Sequence, residues 1–197
     1  MYNGANQGNA MTLKIAIDLD NTVFNTAIII RDICVRNNIN FGDLTSYNPY
    51  ECVPEHVADE IMAAFDSVEL RNMPVLHKKL PETLNMLMVR PNTDVYFITE
   101  RPIATADMDI GQLKRAGIKC ANNKIVNYKP KIDALRNYGI NLCFDDSPLV
   151  VADCLANNID VVMISNDDTV YNHHLRGDVE HYTNLLDALT ARGFIKS

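Results

Sequence analysis

The sequence predicts an α/β protein: a doubly wound, Rossmann-like parallel sheet of about five strands, with a small helical cap inserted after the first strand. Three observations predict it. Short apolar segments recur along the chain with polar, helix-patterned stretches between them. Continuous apolar runs such as Val161-Val162-Met163-Ile164 fit strands covered on both faces, as in a parallel sheet flanked by helices. The connection between Thr22 and Asp94 is far longer than the roughly a dozen residues that a crossover needs, so something is inserted there.

The elements follow in chain order. Residues 1–10, MYNGANQGNA, are Asn- and Gly-rich and offer no apolar surface to offset ordering entropy, so this segment is expected to be disordered. It has neither a basic region nor an apolar stretch of the secretory type, and the expected location is cytoplasmic. LKIAIDL (13–19) reads as the first strand. Thr26 to Asn37 and Pro54 to Asp66 read as helices, the second with Val57, Ala58, Ile61, Met62 and Phe65 on one face behind Pro54. Between them lies a turn-rich stretch carrying Tyr47 and Tyr50. Residues 24–80 therefore form the expected cap, and 11–23 with 81–197 the core. Further strands are expected at TDVYFIT (93–99), IKCANNKIV (118–126), INLCFDD (140–146) and IDVVMIS (159–165).

Composition closes off several classes of function. A chain of 197 residues that is 47% hydrophobic and 22% charged can bury a full core, which excludes a disordered or fibrous protein. The longest apolar run is Ile61 to Phe65, far short of the roughly 20 residues of a membrane span. Eighteen basic against twenty-five acidic residues leave a net charge of −7 with no basic run, so long nucleic acid is not an expected partner. Five cysteines, an odd number without a Cys-x-x-Cys pair, argue against a disulfide framework or zinc knuckle and for free thiols in the core.

The polar residues that carry chemistry cluster at predicted strand ends. Asp18-Leu19-Asp20-Asn21-Thr22 puts two carboxylates two positions apart where the first strand gives way to a loop, and period-two geometry sends both to one side. Thr99 and Arg101 follow the second strand, Lys131 begins a helix, and Asp145-Asp146 end a later strand. In a doubly wound sheet these ends share the ligand-binding edge. A calcium loop at Asp18 to Ile29 fails, because its sixth position is Val23 and its twelfth Ile29. An acidic pair holding a metal-bound sugar nucleotide, as in a glycosyltransferase, stays open, as does a non-catalytic binding module. Taken singly, Asp145-Asp146 read as a helix cap, Lys131 as a solvated helix residue, Thr99 as a turn former and His173-His174 as loop surface.

Together these residues resemble the haloacid dehalogenase superfamily of aspartate-nucleophile phosphatases, and within it the small 5′-nucleotidases, including the 5′(3′)-deoxyribonucleotidase type. IAIDLDNTV resembles the first motif, VYFITERP the second, Lys131 before ALRNYGINL the third and CFDDSP the fourth. Val170-Tyr171-Asn172 and a helix from about His181 are similar to features of the nucleotidase group. The resemblance implies Asp18 as nucleophile, Asp20 as general acid and base, and Thr99 and Lys131 on the phosphoryl oxygens. It implies Mg²⁺ held by Asp18, the Asp20 carbonyl and Asp146, with Asp145 behind them or as an alternative ligand. Lys129 is a rival to Lys131, which has the more usual spacing to Asp145. Glu100 and Arg101 fall beside the phosphate pocket: Arg101 as a fork onto phosphate or as a salt bridge to Glu100 or a cap residue, Glu100 as an awkward carboxylate unless it points to a basic partner. The implied substrate is a small phosphorylated molecule, a nucleoside or deoxynucleoside monophosphate, with a sugar phosphate as alternative. Tyr47, Tyr50 and Phe65 are candidates to stack on a base or to pack as cap core. Oligomeric state stays open, a dimer among the options.

Overall fold

The structure is a computed structural model that describes residues 12–195; the segment expected to be disordered, 1–10, lies outside them. Its centre is a sheet of six parallel strands in the order β3-β2-β1-β4-β5-β6. The strands are β1 (Leu13–Ile17), β2 (Thr93–Thr99), β3 (Ile125–Asn127), β4 (Leu142–Asp145), β5 (Asp160–Ile164) and β6 (His181–Tyr182). Period-two alternation sorts the side chains onto two cores. Ile15, Ile17, Val95, Phe97, Phe144 and Val162 face one layer, built by α3 (Leu80–Met88), α4 (Ala106–Arg115) and α7 (Leu185–Ala191). Ala16, Ile98, Cys143, Val161 and Met163 face the other, built by α5 (Lys131–Tyr138) and α6 (Pro148–Ala156). Full burial of such a side chain contributes about 1.5–3 kcal/mol, so two covered faces hold the sheet in register.

Between β1 and β2 the chain makes α1 (Ala27–Arg36) and α2 (Glu55–Ala64), which close over a third apolar cluster including Ile33, Leu44, Val57 and Ile61. The outgoing and returning connections run side by side: the Asn25 amide donates to the Pro74 carbonyl at 2.9 Å and Leu76 to Val23 at 2.9 Å. The expected insertion is therefore helical and has its own core, while its ends are stitched together beside the sheet.

Two expectations need correction. Residues 118–126 were expected to be one strand, but only Ile125–Asn127 pairs with β2; Asn122–Lys124 forms a tight 3-10 turn, and Ile118 is buried without strand pairing. The polar Asn122-Asn123-Lys124 run cannot occupy a doubly covered strand. The helix expected from about His181 starts at Leu185, with the Asn184 side chain accepting from the Asp187 amide at 3.0 Å. His181–Tyr182 instead adds a sixth strand, clasped to β5 by Met163 N to Glu180 O at 2.9 Å and Ser165 N to Tyr182 O at 2.8 Å.

Candidate active site

The strand order reverses between β1 and β4, the point where a doubly wound sheet opens a crevice at its carboxyl edge. Ile17 lies opposite Phe144, and the Asp18 amide donates to the Phe144 carbonyl at 3.0 Å, which brings Asp18 alongside Asp145. One carboxylate oxygen from each of Asp18, Asp145 and Asp146 lies within 4.8 Å of the others, and all three residues are buried. Lys131, at the first turn of α5, reaches into this cluster: its ammonium bonds the Asp18 carboxylate and donates to Asp145 Oδ2 at 2.7 Å. Its rival Lys129 is exposed on the cavity rim.

Each carboxylate is held by its surroundings. The other oxygen of Asp145 accepts from the Ser147 amide at 2.9 Å. Tyr171 donates its hydroxyl to Asp146 and accepts from Asn21 Nδ2 at 3.1 Å. Asn172 donates to the Asp146 carbonyl at 2.7 Å, which fixes the loop that presents Tyr171. Asn21 adopts a positive φ of 50°, tolerable for Asn, and its Oδ1 accepts from the Ala27 amide at 2.9 Å and the Thr26 hydroxyl at 3.0 Å. Asn21 thereby couples the turn after Asp20 to the start of α1, a role that the sequence reading did not assign.

Burial pushes the Asp18 carboxyl well above the usual range; Lys131 opposes that push, and Asp145, Asp146 and Asp20 add to it. Burial, then Asp145, raises Asp146 to about 7. Lys131 loses solvation on burial, yet the facing Asp145 and Asp18 hold it well above the ordinary lysine value, so it remains an ammonium. Three buried carboxylates share one ammonium, a deficit of positive charge in a set of hard oxygen donors. That donor set fits Mg²⁺.

Asp20 is placed apart from this cluster. Arg101 forks onto it, with Nη2 to Oδ1 at 2.7 Å and Nε to Oδ2 at 2.9 Å, while Arg101 Nη1 donates to Asp109 Oδ1 at 2.7 Å and Gln112 Oε1 at 2.8 Å. Four of the five guanidinium donors are thus occupied, and the expected fork onto a phosphoryl group is not free in this arrangement. Neither Glu100 nor a cap residue is its partner; the acids are Asp20 and Asp109. Glu100 instead accepts from the Lys131 amide at 2.8 Å, so it faces the positive end of α5 rather than a side-chain cation. Buried Thr99 accepts from the Arg101 amide at 3.2 Å and lines the same cavity as Asp18 and Lys131.

That cavity has a volume of about 910 Å³. The sheet edge supplies its polar floor, and Ile30, Phe41, Leu44, Ile61, Met62 and Phe65 supply an apolar wall from the inserted helices. Tyr47 lines the cavity and meets Tyr171 edge-on, with ring centroids 5.5 Å apart. Tyr50 does not line it; its hydroxyl donates to Asp59 at 2.7 Å on the α2 side. Asp109, Arg71 and Gln112, which the sequence reading passed over, pack behind Arg101; Asp109 and Gln112 share α4, and Arg71 comes from the returning connection, so the group exists only once these two pack together.

No protein-family profile matches the sequence, and no curated protein is significantly similar to it. Solved structures do share its fold. A haloacid dehalogenase-like protein of unknown function from Agrobacterium tumefaciens superposes with a TM-score of 0.61 at 12% identity, over 93% of this chain and 99% of that one. A haloacid dehalogenase-like hydrolase from Streptococcus pneumoniae gives 0.58 at 14%, over 91% and 98%. A haloacid dehalogenase family hydrolase from Deinococcus radiodurans, with bound phosphate and sodium, gives 0.57 at 14%, over 94% and 98%. The chain therefore has the Rossmann-like fold of haloacid dehalogenase-like hydrolases, with an acidic cluster at its carboxyl edge.

Proposed function

We propose that this protein is a Mg²⁺-dependent phosphomonoesterase with an aspartate nucleophile, acting on nucleoside and deoxynucleoside monophosphates. The observation that carries the reading is the position of Asp18: a buried carboxylate at the switch point of the sheet, bonded to Lys131 and lying in the floor of a cavity with an apolar far wall. Asp18 attacks phosphorus in line, the bond to the leaving oxygen breaks, and an aspartyl-phosphate forms. Asp20 gives its proton to that oxygen, then takes one from the water that attacks the aspartyl-phosphate and releases inorganic phosphate. The Lys131 ammonium and Thr99 hydroxyl bind the phosphoryl oxygens as their charge shifts. The Asp18 and Asp146 carboxylates and the Asp20 carbonyl would hold Mg²⁺, with Asp145 steering Lys131 from behind. When bound, Mg²⁺ supplies positive charge against the phosphoryl oxygens and the three carboxylates.

The apolar wall favours a planar base over a polyhydroxylated sugar, because unpaired hydroxyls lose water there without compensation. Ser46, Asn48 and Asp66, also in the lining, support a sugar phosphate as the second reading. Turnover of a panel of phosphomonoesters with Mg²⁺ separates the two. Nucleoside monophosphates turning over fastest supports the first; a sugar phosphate turning over faster replaces it with the second. Inertness toward the whole panel ends the phosphatase reading. Among the described residues no helix is long and apolar enough to cross a membrane, and we place the activity in the cytoplasm.

A further inference from the structure

Behind the cavity floor runs a chain of four charges, Arg71, Asp109, Arg101 and Asp20. Asp109 joins the two arginines through one oxygen, Oδ1, at 3.1 Å to Arg71 Nε and 2.7 Å to Arg101 Nη1. Its other oxygen accepts from Asn127 Nδ2 at 2.7 Å and the Thr105 hydroxyl at 3.3 Å. The side chains of Arg71, Asp109 and Arg101 are 1%, 0% and 1% exposed; Arg101 and Asp20 line the cavity, and Asp20, at 17%, is the more open of the two. Arg71 also donates to the Phe65 and Ser67 carbonyls, and Gln112 to those of Leu70 and Met73. The chain thus begins where the inserted segment returns to the core and ends at Asp20.

We propose that Asp109 and Arg71 are positioning residues for the reaction: they fix the Arg101 guanidinium, and through its fork they hold the Asp20 carboxylate where the leaving-group oxygen arrives. Cementing the fold does not account for this design. Buried charges lose their hydration, and apolar side chains of similar volume would fill the same space without that cost. A bidentate guanidinium fixes a carboxylate's plane as well as its position. Proton transfer needs that accuracy, because a general acid works only within hydrogen-bond reach of the reacting oxygen. Each Asp20 oxygen keeps a second lone pair, and one of these carries the proton that the carboxyl gives to the leaving oxygen.

The inference rests on the phosphatase reading, and it makes a claim about the leaving group that a structural role does not. The test compares kcat/KM for phenyl phosphate and 4-nitrophenyl phosphate, using the full chain with Mg²⁺. The two esters differ in how much they need a proton: nitrophenolate departs readily without one, and phenolate does not. Asp109→Asn is expected to lower kcat/KM by about 100-fold for phenyl phosphate and less than about fivefold for 4-nitrophenyl phosphate. Arg71→Lys is expected to show the same asymmetry more weakly. If Asp109→Asn does not fold, as judged by circular dichroism and melting, Arg101→Lys takes its place; it keeps the charge, cannot engage both Asp20 oxygens, and is expected to show the same asymmetry. Equal losses on both esters in a folded variant, or no loss on either, overturn the positioning role and leave the phosphatase reading intact. A parent protein inert toward both esters overturns the phosphatase reading and this inference with it.

Discussion

Two positions separate Asp18 from Asp20, yet the fold gives them different neighbours: Asp18 faces Lys131 and two further carboxylates, and Asp20 faces Arg101. In the proposed mechanism Asp18→Asn replaces the nucleophilic carboxylate with an unreactive amide of nearly the same shape, so activity is expected to fall by at least about 10³-fold. The melting temperature should stay within a few degrees, since the substitution relieves repulsion among buried carboxylates as it loses the bond to Lys131. Kinetics and a thermal melt check both halves. Asp146 supplies the pH dependence. Burial raises it to about 7, so between the ordinary carboxylate range and that value the folded, metal-free protein keeps a proton that the unfolded chain has released. Stability from this group is therefore present at low pH and lost as pH rises toward 7. Chelated parent and Asp146→Asn, melted at pH 5 and pH 7.5, should diverge, with the parent losing more on going to pH 7.5. Identical profiles would remove Asp146 from the account. At this scale the placement of Asp18, Asp20 and Lys131 around one cavity was legible because they sit at a strand end and a helix start. Asp109 and Arg71 were not, since their meaning arises only when α4 and the returning connection pack together.

Secondary structure was legible where burial imposes a period. The strands at 13–17, 93–99, 142–145 and 160–164 each fall within an apolar run, and α1 and α2 lie inside the helices expected at 26–37 and 54–66. The misses lie at the sheet's edges. β3 and β6 are short and half covered, so backbone pairing with one neighbour decides them and side-chain pattern says little. In the proposed reaction the floor residues meet only the phosphoryl group, so substrate choice would fall to the inserted helices. Tyr47→Ala is expected to lower kcat/KM for a deoxynucleoside monophosphate by about ten- to a hundredfold, since base stacking is worth roughly 1–3 kcal/mol. Turnover of 4-nitrophenyl phosphate should change much less. Tyr50→Ala should leave both unchanged, because that ring lies outside the cavity lining. Equal loss on both esters with Tyr47→Ala would show that this ring supports the fold rather than the base.

Over the whole molecule, one architectural fact organises the chemistry: a parallel sheet whose order reverses beside β1, with helices inserted opposite that edge. The doubly wound class was readable from alternation and from the overlong first connection. The cavity's shape was not, because it depends on how the third apolar cluster seats against the sheet. The buried carboxylate oxygens of the floor are the donors that would hold the proposed metal: a chelator should abolish turnover, and added Mg²⁺ should restore it. Full activity in excess chelator would contradict the metal role. In the proposed mechanism Asp18 becomes covalently phosphorylated, which mass spectrometry of acid-quenched protein during turnover of a nucleoside monophosphate detects. One added phosphoryl group is expected on the peptide containing Asp18, and none in Asp18→Asn. Turnover with no phosphorylated protein at any quench time, or with the label on another residue, would contradict it.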